Sequence, residues 1–92
     1  MVAYFEFDAA KSEKNRRERG LPFVLAARLF EGARLEWEDR RKDYGEIRFS
    51  TLGEIEGSVF FVTYTRRGEA IRIISFRRAS PRETRQYRSH IG

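Results

Sequence analysis

The 92-residue chain has no cysteine, two prolines and a lone histidine. Without thiols it forms neither disulfides nor thiolate metal sites, and His90 by itself builds no zinc constellation, so packing alone must hold the fold. His90 also lies among the last residues, where helix ends fray, and is set aside as a catalytic residue. No GxSxG, Walker loop, HExxH or CxxC pattern occurs, which leaves the commoner hydrolases, kinases and metalloproteases without their nucleophiles and ligands. Apolar runs fall far short of the roughly 20 residues a membrane span requires, and the opening MVAYFEFDAAKSEK lacks the basic-then-apolar order of a secretory signal. The expectation is a protein of the reducing cytoplasm, with no membrane contact, no cofactor and no metal.

Aromatic residues, by contrast, are plentiful. Eight Phe, four Tyr and one Trp in a chain that is 40% hydrophobic supply enough buried area for a small folded domain. Neither a linker nor a repeat interrupts the chain, so residues 1–92 are read as a single domain. The net charge of +5 is spread unevenly: residues 1–33 sum to +1, residues 34–65 to −2 and residues 66–92 to +6. Every cation in that last third is an arginine: Arg66, Arg67, Arg72, Arg77, Arg78, Arg82, Arg85 and Arg88. Guanidinium is planar, permanently charged and able to grip phosphate with two parallel hydrogen bonds, so this choice over lysine leans toward phosphate recognition. A merely solubilising face is the rival reading of the same charge.

The alternation in AYFEF predicts a first strand ending at Asp8, which then caps a helix over Ala9–Arg19 with Gly20 as its left-handed terminator. That helix is nearly all polar, leaving Ala9, Ala10 and the stems of its long side chains to pack it. A second helix is predicted from Pro22, with Phe23, Ala26, Ala27 and Phe30 as its core stripe and Gly32 as its end. A short strand around Leu35 and Trp37 and a charged loop, Asp39–Gly45, precede a meander of Glu46–Leu52, Val59–Thr65 and Ala70–Phe76. The middle strand of that meander is apolar on both faces and is placed centrally. Ser80-Pro81-Arg82-Glu83 is a capping box, predicting a C-terminal helix from Pro81 to about Arg88. The fold class is α+β: an antiparallel β-sheet packed against two N-terminal helices, with a short C-terminal helix.

Strand periodicity limits which polar groups can meet. On Glu46–Leu52, Ile47, Phe49 and Thr51 take one face, and Glu46, Arg48 and Ser50 the other. On the last strand Ile71, Ile73, Ser75 and Arg77 share one face, and Arg72, Ile74, Phe76 and Arg78 share the other. Either face brings an arginine toward Arg48, and a bulge or twist near the strand end would present both Arg72 and Arg77. Each candidate has a plainer reading. Glu46 and Arg48 also make an ordinary exposed pair worth under about 1 kcal/mol. Lys11, Lys14, Arg16 and Arg17, interleaved with Glu13 and Glu18, also make a solvated helix face. Tyr87 reads equally as a packing residue and Ser75 as a strand filler. Composition and spacing support an anion-binding surface.

Taken together, FEFDAAKSEKN…RG, YGEIR, YTRRG and above all IRIISFRRASPRETRQY resemble the BrnT family of type II toxins, in this order and over nearly the whole chain. The resemblance implies a RelE-like fold and an endoribonuclease that cleaves RNA without metal and inhibits growth. It also implies neutralisation by a BrnA-like antitoxin with a ribbon-helix-helix domain, in a hetero-oligomer built as a dimer of toxin–antitoxin pairs. Metal-free cleavage needs a base for the 2′-hydroxyl proton, a cation for the anionic phosphorane and an acid for the 5′-oxygen. Carried over by position, Lys11 and Asn15 match the polar first-helix motif, Glu46 and Arg48 the Glu-x-Arg pair, and Arg72, Ser75, Arg77 and Arg78 the Arg-x-Ile-Ser-x-Arg-Arg run. Lys11, Glu46, Arg48, Arg72, Ser75 and Arg77 are then the catalytic set: Glu46 or Lys11 as base or acid, and Arg48, Arg72 and Arg77 on the phosphorane. Lys14, Asn15, Arg16, Arg78 and Tyr87 hold RNA or antitoxin. Many relatives carry Lys-His before the first-helix glycine where this chain has Glu18 and Arg19, so any proton transfer by that histidine is lost or moved here. The alternative function is a non-catalytic RNA- or DNA-binding or protein-interaction module using the same arginine surface.

Overall fold

Local chemistry sets the ends of the elements in the computed structural model, which describes residues 4–91. The first strand, β1, is Tyr4–Phe7; Ala3, the expected start of that strand, lies outside the described residues. Asp8 caps helix α1, Ala9–Arg19, by accepting from the backbone N–H of Lys11 at 3.0 Å. Gly20 closes that helix at φ 73°, a left-handed conformation that strains any residue with a side chain, and its N–H donates to the Arg16 carbonyl.

The second helix forms over Phe23–Glu31, but as a 3₁₀ helix rather than an α-helix, and Pro22 stands outside it as the cap. Its buried residues are Phe23, Ala26 and Leu29, a spacing of three that the three-residue turn of a 3₁₀ helix stacks on one line. Ala27 and Phe30, expected in the core stripe, are half-buried beside it. Strands β2 (Arg34–Asp39), β3 (Arg48–Ile55), β4 (Ser58–Arg67) and β5 (Ala70–Arg78) follow, then helix α2 (Pro81–Ile91). Asp39 therefore ends a strand instead of opening the loop, and β3 starts after Glu46 and Ile47. The capping box forms as expected: Glu83 N–H donates to Ser80 Oγ at 3.1 Å, and Ser80 N–H to Glu83 Oε1 at 2.8 Å.

The strands lie in the order β1-β5-β4-β3-β2, with β4 central as its two apolar faces require. The sheet is mixed, which corrects the antiparallel expectation: β2 to β5 pair antiparallel, but β1 joins β5 in parallel. No hairpin connects those two strands, so no turn dictates their relative direction. One face of the sheet meets the 3₁₀ helix, where Phe60, Val62, Tyr64, Ile71, Ile73 and Phe76 pack with Leu21, Phe23, Ala26 and Leu29. The other face is covered at one end by α2, with Tyr87 against Leu52 and Val59.

Helix α1 docks by polar bonds rather than by apolar area. Ala9 and Ala10, expected to pack it, are exposed. Instead Ser12 Oγ accepts from the Phe23 N–H at 2.9 Å, fixing the start of the 3₁₀ helix. Asn15 Nδ2 donates to the carbonyls of Leu21, at 2.7 Å, and Phe76, at 2.9 Å. The second of these satisfies a carbonyl on the edge of β5, where the pairing with β1 has already ended at Ile73.

A β-bulge decides how the last strand presents its side chains. Tyr64 pairs with Ile73 and Thr65 with Arg72, but Thr63 pairs with Ser75 and Phe61 with Arg77, leaving Ile74 as the extra residue. The alternation therefore reverses once. Ile73 and Phe76 both enter the helix-side core, while Arg72, Ser75 and Arg77 share the opposite face.

Gly53 gives a test of how tightly this frame is packed. A Cβ there would lie 2.6 Å from Leu29 Cγ and 2.8 Å from its Cδ2, and Leu29 is fully buried with little room to yield. Gly53→Ala is expected to lower the free energy of unfolding by about 1–3 kcal/mol in urea titrations. Stability equal to wild type would show that Leu29 repacks freely.

Candidate functional site

A single polar row crosses all five strands, and the reversal at Ile74 adds Ser75 and Arg77 to its face. Glu6, Arg72, Thr65, Arg48 and Asp39 are successive partners across β1, β5, β4, β3 and β2. Directly paired residues share a face, so these side chains emerge together. The two arginines flank Thr65, each with an acid on its outer side. Two strand spacings put their Cα atoms roughly 10 Å apart, close enough for both side chains to reach one phosphate. Thr65 itself is buried, its Oγ1 donating to the Ile47 carbonyl at 2.6 Å.

The two arginines are only lightly engaged. Arg48 donates from Nε to Glu46 Oε2 at 3.0 Å and stacks its guanidinium over the Tyr44 ring, 4.2 Å from the centroid. Glu46 also lies 3.9 Å from Arg67, so its carboxylate sits between two cations. Arg72 makes a longer contact, 3.4 Å, with Glu6. Asp8, whose carboxyl is held below the usual carboxylate range first by the N–H of Lys11, also feels the charges of Lys11 and Arg72. Arg72 pairs with Glu6, two residues before Asp8, and Lys11 lies in the first turn of α1.

The loop after β2 is anchored by Asp39, whose side chain is 2% exposed. Arg41 grips it with two hydrogen bonds of 2.9 Å, and the Tyr44 hydroxyl donates to it at 3.0 Å. Arg41, foremost, holds the Asp39 carboxyl well below its ordinary range. Asp39 thus fixes Tyr44, and Tyr44 in turn supports Arg48.

Beside this row runs a groove of about 470 Å³ lined by Trp37, Asp39, Arg41, Ser50, Phe61 and Arg77, among others. Ser50, the small hydroxylated residue of its lining, is buried. Trp37 meets Phe61 edge to face at 6.0 Å. Arg77 closes the far end, and Arg41 lies near enough to oppose its charge. Arg77 is the most constrained of the three arginines on this face. It donates from both terminal nitrogens to Glu83, at 2.8 and 2.9 Å, and lies over Phe61 at 4.2 Å. The pair ties β5 to the first turn of α2.

The residues singled out from sequence divide clearly. Arg48, Arg72, Ser75 and Arg77 share one face, and Glu46 stands beside Arg48 in the loop before β3. Lys11 and Lys14 lie on the side of α1 toward Ser75, at the edge of that face. Asn15 spends both amide hydrogens on scaffold carbonyls, and Arg16 is paired with Glu13 on the exposed side of α1. Arg78 is on the opposite face, over Phe60 and reaching the Arg19 carbonyl at 3.5 Å. Tyr87 is 4% exposed, with its hydroxyl donating to the Ala33 carbonyl, so it packs α2 and offers almost no surface. Sequence pattern did not single out Asp39, Arg41, Thr65 or Glu83 as site residues, and marked Tyr44 only within YGEIR. Glu83 had the clearest local signal, since a capping-box carboxylate six residues from an arginine can serve both.

Glu83 links this site to acid stability. Arg77, foremost, lowers its pKa to about 2 from an ordinary 4.5. A depressed carboxylate pKa means that the stabilisation is complete above pH 4.5 and is lost as pH falls toward 2. Glu83→Gln should therefore cost about 1 kcal/mol or more at pH 7. The gap to wild type should close as pH falls through that window in denaturant titrations, whereas a gap independent of pH would mean that the charge is not what stabilises.

Among the described residues no group of three or more His, Cys, Asp or Glu comes together as a metal site, and no helix is long and apolar enough to cross a membrane. No match was found among curated proteins. The sequence model of a family described as the ribonuclease toxin BrnT of type II toxin–antitoxin systems matches residues 7–83, from the end of β1 to the capping box of α2. The matched span holds the whole arginine row except Glu6, together with the groove, and the chain belongs to the BrnT family of ribonuclease toxins.

Proposed function

We propose that this chain is a metal-independent endoribonuclease with a RelE-like fold, acting in the cytoplasm, and that its centre is the row Arg72–Thr65–Arg48. The observation that carries this reading is the register of the sheet, in which Thr65 pairs with Arg72 on one side and Arg48 on the other, so that both arginines stand on one open face. Two guanidiniums on opposite sides of one phosphate would neutralise the charge of the pentacovalent phosphorane, the largest contribution available to such a site.

Cleavage then proceeds by in-line attack. A base removes the proton from the 2′-hydroxyl, the 2′-oxygen bonds to the adjacent phosphorus, and the bond to the 5′-oxygen breaks as that oxygen takes a proton. The products are a 2′,3′-cyclic phosphate and a free 5′-hydroxyl. In-line displacement requires base and acid at opposite sides of the phosphorus. Glu46 stands at the Arg48 end and Lys11 at the Arg72 end, so Glu46 is assigned as base and Lys11 as acid. Arg77, bound at both terminal nitrogens, is assigned to the neighbouring stretch of RNA in the groove along with Arg41. Ser75 lies between Arg72 and Arg77 on the same face. A BrnA-like antitoxin, paired with the toxin in a hetero-oligomer, would silence the enzyme by covering this cationic face with acidic residues.

Purified protein incubated with a defined RNA in EDTA tests the proposal. Wild type should cut, and Arg48→Ala and Arg72→Ala should each cut about 10²–10³ times more slowly. Arg28→Ala, which removes an equal charge from the other side of the sheet, should not. Tight RNA binding with no cleavage would instead support a non-catalytic binding module.

A further inference from the structure

A second cavity opens where α1 crosses the edge of β5. It has a volume of about 250 Å³ and is lined by Lys11, Lys14, Glu18, Phe23, Ile74 and Ser75, among others. We propose that this pocket receives one nucleobase of the bound RNA and sets the sequence preference of cleavage. The inference takes its RNA occupant from the ribonuclease reading above.

The lining has the chemistry of a base site rather than of a phosphate site alone. Ile74 and the buried Phe23 give an apolar floor, while Lys11 and Lys14, three apart on one helix face, place two cations on the rim. An apolar floor under a cationic rim fits a flat heterocycle carried on an anionic backbone. Glu18 and the Ser75 hydroxyl add an acceptor and a donor-acceptor within the same cavity, the groups needed to distinguish base edges. Glu18 favours bases that present amino or imino hydrogens.

Position supports the same occupant. Ser75 belongs both to this cavity and to the face that carries Arg72 and Arg77, so the pocket is continuous with the row. Arg72 lies three residues along β5, roughly 10 Å away, within the reach of a nucleotide or two. Ile74 is at the floor because the bulge turns it out of both ladders toward the strand edge. One irregularity therefore brings Ser75 and Arg77 onto the face of Arg72 and shapes the pocket. The cleft lined by Leu21, Leu25, Arg28, Ile55, Phe60 and Arg78 has no such continuity, since it lies on the other side of the sheet.

Binding experiments with non-cleavable RNA keep this inference separate from catalysis. Fully 2′-O-methylated hexanucleotides, intact or with an abasic residue at each position in turn, would be titrated by fluorescence anisotropy. Loss of one particular base should weaken binding about tenfold in wild type. In Ile74→Trp, which fills the floor, intact and abasic strands should bind within about twofold of each other, a ratio in which the gain of that base has vanished. Because a larger residue can disturb the bulge, wild-type protein is also cross-linked to hexanucleotides carrying 4-thiouridine at each position. Adducts are expected in the peptides holding Lys14–Phe23 or Ile74–Ser75. Indifference of wild type to every abasic position, or adducts confined to the groove around Trp37 and Arg41, would overturn the pocket. Base discrimination in a protein that cuts no RNA would support the pocket while refuting the ribonuclease reading.

Discussion

Ile74 has no partner across the β4–β5 ladder, and the arrangement of the polar face depends on how the strand absorbs it. The apolar pattern forces the irregularity. Ile71, Ile73 and Phe76 are all buried in the helix-side core, at a spacing that an unbroken strand cannot deliver to one face. Burying each is worth about 1.5–3 kcal/mol, whereas strict alternation would have exchanged Phe76 for Ser75 in the core or driven the charge of Arg72 into it. The bulge resolves the conflict in favour of the core, and as a consequence Arg72, Ser75 and Arg77 emerge together.

A sheet face that gathers arginines must also restrain their repulsion. Here each cation of the row has an acid on its outer side: Glu6 for Arg72, and Glu46 with the neighbouring Asp39 network for Arg48. These contacts hold each guanidinium through a single nitrogen. Arg77 is built differently. Its two-pronged bond to Glu83 makes it part of the hinge between β5 and α2, and the same carboxylate caps α2 through Ser80. Stability and electrostatic design thus share residues, and acid would loosen the groove wall and the helix start together.

Features governed by neighbours along the chain are legible in the sequence itself. The Asp8 and Gly20 ends of α1, the Ser80–Glu83 capping box and the central place of β4 follow from local hydrogen-bonding chemistry and from a strand apolar on both faces. Features governed by distant parts of the chain are not. The parallel entry of β1 beside β5 depends on a long crossover, and the 3₁₀ helix on a Phe23–Ala26–Leu29 line that also fits α-helical periodicity. The polar docking of α1 through Ser12 and Asn15 replaces the apolar contacts expected of Ala9 and Ala10. For the site, the types of residue are readable and their faces are not: strand alternation alone leaves Arg72 and Arg77 opposed. Tyr87 and Arg78 share the arginine-rich segment yet turn to the core and to the other face, because helix and strand phase, not composition, directs them.

The central claim is that the scissile phosphate sits over Thr65 between Arg48 and Arg72. A crystal structure of the protein with a non-cleavable 2′-O-methylated RNA tests it most directly. One phosphate contacted by both guanidiniums, with Glu46 on the 2′-oxygen side, is the expected result. RNA bound elsewhere, with Arg48 and Arg72 still held by Glu46 and Glu6, would contradict it.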